Sequence, residues 1–217
     1  MSQQNPTIPS HTKNENSLAE KRSKYANKIG PNSIIRTVEA LKETYGIPKT
    51  NEILEKVGKS IFISSLPSEM IDEEEFHSLA VGLHNFLGTE QANKILKRSG
   101  QLTAGYLLQN RIPKPAQRIL GILPRSIGLK MLLTAIGKNA WTFVGSGNYT
   151  FVVGKTPQIT IHNCLACRGV QSDIPVCSFY ASTFETLLQS IIGKNIMVNE
   201  ATCIAQGNPC CSFPIQM

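Results

Sequence analysis

Residues 200–213 read Glu-Ala-Thr-Cys-Ile-Ala-Gln-Gly-Asn-Pro-Cys-Cys-Ser-Phe, and residues 163–169 read Asn-Cys-Leu-Ala-Cys-Arg-Gly. Together with Cys177, these two stretches contain all six cysteines of the chain, after 163 residues that contain none. Thiols brought together from a loop, a helix start and two strands indicate that separate elements are tied to a common point. A metal ion is the usual means of doing this.

The local pattern around each upstream cysteine predicts where its sulfur lies. Cys164 and Cys167 form a C-x-x-C turn closed by Gly169, so that both sulfurs can face one ion. Cys177 comes directly before a run with apolar residues at helical spacing. It is therefore predicted at a helix N-terminus, where free backbone N–H groups favour a thiolate.

The end of the chain predicts a hairpin. Residues 200–215 read as two strands joined by a turn centred on Gly207. Because side chains alternate along a strand, Cys203 and Cys211 are then opposite each other on one face. Cys210 points to the other face and is expected to take no part.

Four thiolates in a roughly tetrahedral array form a structural zinc site. The ligand set predicted from this placement is Cys167, Cys177, Cys203 and Cys211, with Cys164 as the substitute. Three alternatives remain open: simple buried thiols, an iron–sulfur cluster, and a disulfide between Cys203 and Cys211.

The sequence also resembles a known family. The spacing of Cys177, Cys203 and Cys211 resembles the 4-vinyl reductase domain family. The text upstream resembles the branch called bacteriochlorophyll 4-vinyl reductase, the J proteins of bacteriochlorophyll biosynthesis, at residues 101–113, 140–147 and 167–169. The resemblance runs from about Leu66 to the C-terminus.

The resemblance implies a fold, a metal and an activity. The implied fold is an α+β domain similar to vesicle-tethering subunits, with N-terminal helices packed on a C-terminal antiparallel sheet. Phenol-sensing relatives hold zinc through a glutamate and three cysteines spaced like Cys177, Cys203 and Cys211. No acid is assigned to the glutamate position here, and Cys167 takes its place. The family name implies reduction of the C8 vinyl group of a divinyl chlorophyll precursor.

The composition predicts one domain with a tail. A chain of 217 residues with 41% apolar content can build one sizeable core. Residues 1–30 are polar and basic and are predicted to be disordered. Residues 31–138 read as helices, including separate ones at 89–99 and 102–109, and residues 139–217 form the sheet and metal-binding part. A net charge of +7, partly in the tail, and the lack of long apolar runs predict a cytoplasmic protein without nucleic-acid partners or a membrane span. A homodimer remains open.

An apolar helix beside basic residues indicates a ligand site. Residues 126–137 are apolar nearly all round, so this helix is expected at the centre of the fold or along a cavity. Arg111, Arg118 and Arg168 would place positive charge near it. That pairing suits a flat apolar molecule with carboxylates, such as a porphyrin bearing propionates. A solvated basic surface explains each residue equally well when taken alone.

Residues 141–153 are predicted to form a strand, or a hairpin, with aromatic and glycine residues on one face. The residues on that face are Trp141, Phe143, Gly145, Gly147 and Tyr149. The two glycines would leave a gap for a planar ligand. The alternative is a glycine turn between two core strands, with Trp141 filling the core.

The function predicted from these features is binding of a divinyl magnesium tetrapyrrole, of the divinyl protochlorophyllide type, and its delivery for 8-vinyl reduction. Other bacteriochlorophyll biosynthesis enzymes would be the partners. Two alternatives remain: a genuine vinyl reductase, and a zinc-bearing sensor of small molecules. The sequence shows no nicotinamide, flavin or Walker-type loop, and it assigns no catalytic residue.

Overall fold

The computed structural model describes residues 23–217. Most of the predicted tail, residues 1–22, lies outside the described residues. Strand β1 (Lys28–Ile29) pairs antiparallel with β2 (Ile71–Asp72). The Ile29 side chain is fully buried in the core. The folded domain therefore begins earlier than residue 31.

Helices make up most of the chain between β1 and the main sheet. They are α1 (Asn32–Lys56), α2 (Ile61–Ser64), α3 (Glu73–Leu87), α4 (Thr89–Asn110), α5 (Lys114–Ile122), α6 (Arg125–Lys138) and the short α7 (Trp141–Val144). Helix α8 (Ser178–Ile191) follows later and packs along α4. Helix α3 begins as expected for an acidic first turn, because Asp72 caps it by accepting a hydrogen bond from the N–H of Glu74.

Helix α4 is continuous, so the prediction of two separate helices at 89–99 and 102–109 is wrong. Gly100 lies where α4 crosses α8. A Cβ on Gly100 would lie 2.1 Å from Ser182 Oγ and 2.3 Å from Phe179 O. The glycine therefore permits close approach of two helices rather than ending one of them.

A four-stranded antiparallel sheet closes the fold. Its strands are β3 (Asn148–Val152), β4 (Gln158–His162), β5 (Met197–Val198) and β6 (Cys211–Gln216), in the order β3-β4-β6-β5. Phe213 is fully buried on this sheet and meets Phe184 of α8 edge-on, with ring centroids 5.7 Å apart. Helices packed on an antiparallel sheet confirm the predicted α+β class.

The predicted strand over 141–153 is wrong in its first half, because α7 and a turn precede β3. Gly145 has a φ of +57°, and a Cβ there would lie 1.9 Å from Glu73 Oε2. The backbone N–H and the hydroxyl of Ser146 donate to the Glu73 carboxylate at 2.5 and 2.6 Å. The space beside Gly145 is thus filled by Glu73, and the aromatic residues do not share one pleated face.

Helix α6 lies at the surface and not at the centre of the fold. Leu129, Leu132 and Leu133 are buried, whereas Ile127 and Met131 are each 49% exposed. Its apolar residues therefore cover the domain on one side only. Among residues 23–217, no helix is both long enough and apolar enough to cross a membrane.

Candidate metal centre and ligand cavities

Five of the six cysteines converge on one buried cluster. Cys164, Cys167, Cys177, Cys203 and Cys211 are each inaccessible to solvent, and none forms a disulfide. Cys210 is half-buried and lies outside the cluster. The convergence was predicted, and so was the separate position of Cys210. Cys164, by contrast, was expected outside the cluster and lies within it.

The C-x-x-C turn and the start of α8 bring three of the sulfurs together. The N–H of Arg168 donates to Cys164 O at 3.1 Å, and Gly169 has a φ of +75°, which closes the turn. Cys177 is the residue that precedes α8, as its spacing predicted. Its Sγ lies 3.4 Å from that of Cys164.

The hairpin brings the remaining two sulfurs. Thr202 pairs with Ser212 across the turn, so Cys203 and Cys211 are the next opposed pair, with sulfurs 3.9 Å apart. This is the predicted arrangement. The first strand is shorter than predicted, because Ile204–Gln206 forms a 3₁₀ turn.

Two sets of four ligands can be drawn within this cluster. In each set the ligand atoms lie within 4.8 Å of one another. The first set consists of Cys164, Cys167, Cys177 and Cys211, and the second of Cys177, Glu200, Cys203 and Cys211. The described structure therefore contains a buried cluster of cysteines that could hold a metal ion.

Glu200 is the member that sequence reasoning missed. Its Oε2 accepts a hydrogen bond from the N–H of Cys177 at 2.6 Å, and its buried Oε1 has no hydrogen-bond partner. Burial, together with the charge on Cys203, raises the pKa of Glu200 to about 9. A buried acceptor without a partner is unfavourable, and a cation would satisfy it. The signal was visible, because Glu200 precedes Cys203 by three residues and takes the glutamate position of the zinc-bearing relatives.

The thiols share protons unequally. Burial raises the pKa of Cys164 and of Cys177 above the ordinary thiol value. Hydrogen bonds from neighbouring thiols lower the pKa of Cys203 to about 6, with Cys167 the main donor. They also lower the pKa of Cys211 to about 6, with Cys164 the main donor. Sulfur ligands that are already close to ionised suit a thiophilic cation such as zinc, because ligands must lose their protons to bind it.

The larger of two cavities lies between the start of α1 and α4 and has a volume of about 550 Å³. Its walls include Tyr25, Lys28, Asn32, Ile35, Arg36, Met70, Tyr106 and Arg111. The Tyr106 ring faces the guanidinium carbons of Arg36 and Arg111 at 5.3 and 5.9 Å. The Nε of Arg36 is buried and has no hydrogen-bond partner. An aromatic face flanked by two cations, one with a free donor, suits a planar anionic ligand.

A second cavity of about 280 Å³ contains most of the predicted aromatic and glycine residues. Trp141, Gly145, Gly147 and Tyr149 line it. Trp141 stacks on Tyr25 with a centroid distance of 5.7 Å. Tyr25 also lines the larger cavity, so the two cavities adjoin at this residue.

Three other predicted ligand residues lie elsewhere. Phe143 packs against Tyr149 and Phe184 in the core and lines neither cavity. Arg118 is exposed on α5. Arg168 forms an ion pair with Glu74 and lies 3.9 Å from Glu73. Of the predicted arginines, the structure places only Arg111 at a cavity.

The fold and the cysteine cluster are those of a 4-vinyl reductase domain. The profile of that domain family matches residues 157–217, which include all six cysteines. Relatives also match over most of the chain. It is 33% identical over 190 residues to the bacteriochlorophyll synthase 23 kDa chain of Cereibacter sphaeroides, covering 88% of this chain and 91% of the relative. It is 31% identical over 192 residues to the protein of the same name from Rhodobacter capsulatus, covering 84% of each.

The chain therefore belongs to the family of the bacteriochlorophyll synthase 23 kDa chains, and the resemblance read from the sequence is confirmed.

Solved structures share the fold at low sequence identity. An Fe(II) unliganded H-NOX protein from K. algicida aligns with a TM-score of 0.55 at 10% identity, covering 87% of this chain and 96% of that protein. The phenol-responsive sensory domain of the transcription activator PoxR, solved with phenol, aligns with a TM-score of 0.50 at 17% identity. It covers 70% of this chain and 78% of that domain. These likenesses support the single α+β architecture.

Proposed function

We propose that this protein binds a divinyl magnesium tetrapyrrole, of the divinyl protochlorophyllide type, and delivers it for 8-vinyl reduction. Membership in the family of bacteriochlorophyll synthase 23 kDa chains supports a role in bacteriochlorophyll biosynthesis. The observation that carries the finer proposal is the larger cavity, where Tyr106 lies between Arg36 and Arg111.

The chemistry of this cavity matches a tetrapyrrole acid. Its volume of about 550 Å³ falls within the range of roughly 300–1,000 Å³ that is usual for cofactor sites. The Tyr106 ring offers a flat surface to the macrocycle, and Ile35 and Met70 add apolar wall. A carboxylate of the ligand would accept the free Nε–H of Arg36.

The metal centre has a structural role in this proposal. None of the cluster residues lines either cavity, so a bound ion would not touch the ligand. We propose zinc, which would supply cross-linking of three segments: the C-x-x-C turn, the start of α8 and the C-terminal hairpin. Such a link is worth on the order of 10 kcal/mol of folding free energy in small zinc domains.

A second candidate function is sensing of a small aromatic molecule. The cavity of about 280 Å³ beside Trp141 is the observation that favours it, because its size suits one aromatic ring better than a macrocycle. The buried Nε1–H of Trp141 has no partner and could donate to a hydroxyl group of such a ligand.

A titration with pigment tests the proposed function. Purified protein is mixed with divinyl protochlorophyllide, and binding is followed by the absorbance shift of the pigment, with and without NADPH. Tyr106→Ala and Arg36→Gln should each weaken binding by about tenfold or more, because each removes a stacking or charged contact. Arg118→Gln is the matched control, since Arg118 is exposed outside both cavities, and it should bind as the wild type does.

The other outcomes point to the alternatives. Conversion of the pigment to its monovinyl form by this protein with NADPH would show a genuine reductase. Saturable binding of phenol, abolished by Trp141→Ala and accompanied by no pigment binding, would favour the sensor.

A further inference from the structure

We propose that the cysteine cluster is a binuclear centre, in which two metal ions share the thiolates of Cys177 and Cys211. This inference rests on the metal centre of the proposed function and goes beyond the single zinc proposed there. One ion would be completed by Cys164 and Cys167, and the other by Glu200 and Cys203.

The number of ligands exceeds what one ion needs. A structural zinc is bound by four protein ligands. The cluster supplies six, namely five buried cysteines and Glu200. A single ion bound by Glu200, Cys177, Cys203 and Cys211 would leave two thiols, from Cys164 and Cys167, inaccessible to solvent and without a function.

The distances describe two tetrahedra that share an edge. With Zn–S bonds of about 2.3 Å, the sulfurs of one tetrahedral site lie about 3.8 Å apart. The shared edge, Cys177 to Cys211, measures 3.6 Å. On one side of it, Cys164 lies 3.4 Å from Cys177 and Cys167 lies 3.4 Å from Cys211.

On the other side of the shared edge, Cys203 lies 3.9 Å from both Cys177 and Cys211. The carboxylate of Glu200 completes this set within 4.8 Å. Its Oε2 is held by the N–H of Cys177, which leaves the partnerless Oε1 as the ligand atom. Both halves are therefore built from oriented side chains.

The charge of the cluster favours two cations over one. Five thiolates and one carboxylate would carry six negative charges in a solvent-excluded site, and one divalent ion leaves four of them uncompensated. Buried charge without compensation is strongly unfavourable. Within residues 23–217, no lysine or arginine forms an ion pair with Glu200. A second divalent ion reduces the excess to two.

Sharing of thiolates between ions is sound coordination chemistry. A thiolate sulfur has enough lone pairs to bind two cations. Modules that hold two zinc ions with six cysteines work in this way. Here Glu200 stands where a sixth cysteine would be, and Cys177 and Cys211 occupy the bridging positions because they belong to both sets.

Metal stoichiometry of the full-length protein tests the proposal. The protein is purified under reducing conditions from zinc-supplemented cells, and zinc per chain is measured by native mass spectrometry and by elemental analysis. The expected result is two zinc ions for the wild type and for the Cys210→Ser control. The double variant Cys164→Ser/Cys167→Ser should retain one, and Cys203→Ser should also retain one.

Cobalt substitution gives a second readout that needs no variant. Two cobalt ions bridged by thiolates are magnetically coupled, so the electron paramagnetic resonance signal per ion should be weaker in the wild type than in Cys164→Ser/Cys167→Ser. One zinc per chain in both proteins, or uncoupled cobalt in the wild type, would overturn the binuclear centre. Iron with acid-labile sulfide would overturn it as well. Each of these results leaves pigment binding in the larger cavity untouched, so the two proposals fail separately.

Discussion

The backbone N–H of Cys177 donates to the carboxylate of Glu200 at 2.6 Å, across 23 residues of sequence. This hydrogen bond joins the start of α8 to the entry of the C-terminal hairpin. It also orients Glu200 so that its other oxygen points to the sulfurs. The acid is thus positioned by the same helix N-terminus that carries one of the thiols.

Glu200 can be tested by two substitutions that differ in one respect. Glu200→Gln keeps an acceptor for the N–H of Cys177 but removes the anionic ligand, whereas Glu200→Ala removes both. Both should lose zinc from the half of the centre that contains Cys203, and Glu200→Ala should be the less stable in urea unfolding by about 1 kcal/mol. Full zinc content in both variants would show that Glu200 is not a ligand.

The cysteines divide into ligands and one bystander. Cys177→Ser and Cys203→Ser should lose zinc and lower the melting temperature by about 10 °C or more, since loss of a metal is among the largest single-residue effects. Cys210→Ser should keep both zinc and stability, because Cys210 lies outside the cluster. Equal losses in all three variants would contradict the hairpin register.

The contact between α4 and α8 gives a prediction that does not depend on the metal. Gly100→Ala should destabilise the fold by about 1–3 kcal/mol, because the new methyl group would overlap Ser182 Oγ and Phe179 O. Gly105→Ala on the same helix has no atom within 4 Å of the new Cβ and should stabilise by roughly 0.5–1 kcal/mol. Urea unfolding of the pair checks this, and effects of the same sign would refute it.

His84 predicts a dependence of stability on pH. Burial lowers the pKa of His84 below its ordinary value of 6.5, and the backbone of Val176 offsets part of this. The unfolded chain therefore binds more protons than the folded chain just below pH 6.5. The free energy of unfolding should then fall as the pH drops from 6.5 towards the folded pKa. His84→Gln should flatten this slope, measured by urea unfolding at several pH values with the zinc content monitored; an unchanged slope would exclude His84 as its source.

The sequence predicted the parts of the fold that depend on local spacing. The opposition of Cys203 and Cys211 follows from the two-residue period of strands around Gly207, and the position of Cys177 from the helical pattern after it. The acidic start of α3 was equally visible. These features need only neighbours in sequence.

The parts that were missed depend on distant partners. Gly100 looked like a helix break, and only α8 lying against it explains why α4 continues. Gly145 looked like part of a pleated face, yet its conformation follows from the buried carboxylate of Glu73. Glu200 was assigned to a strand, although its spacing to Cys203 offered a signal. The cavity between Arg36 and Arg111 joins two helices far apart in sequence, and no local pattern predicts that.

Equilibrium binding of divinyl protochlorophyllide to the zinc-loaded protein, without any reductant, tests the central claim most directly. The account predicts saturation at one pigment per chain, retention of the divinyl spectrum, and weaker binding by Tyr106→Ala but not by Arg118→Gln. Absence of saturable binding, or equal affinity of these two variants, would contradict it.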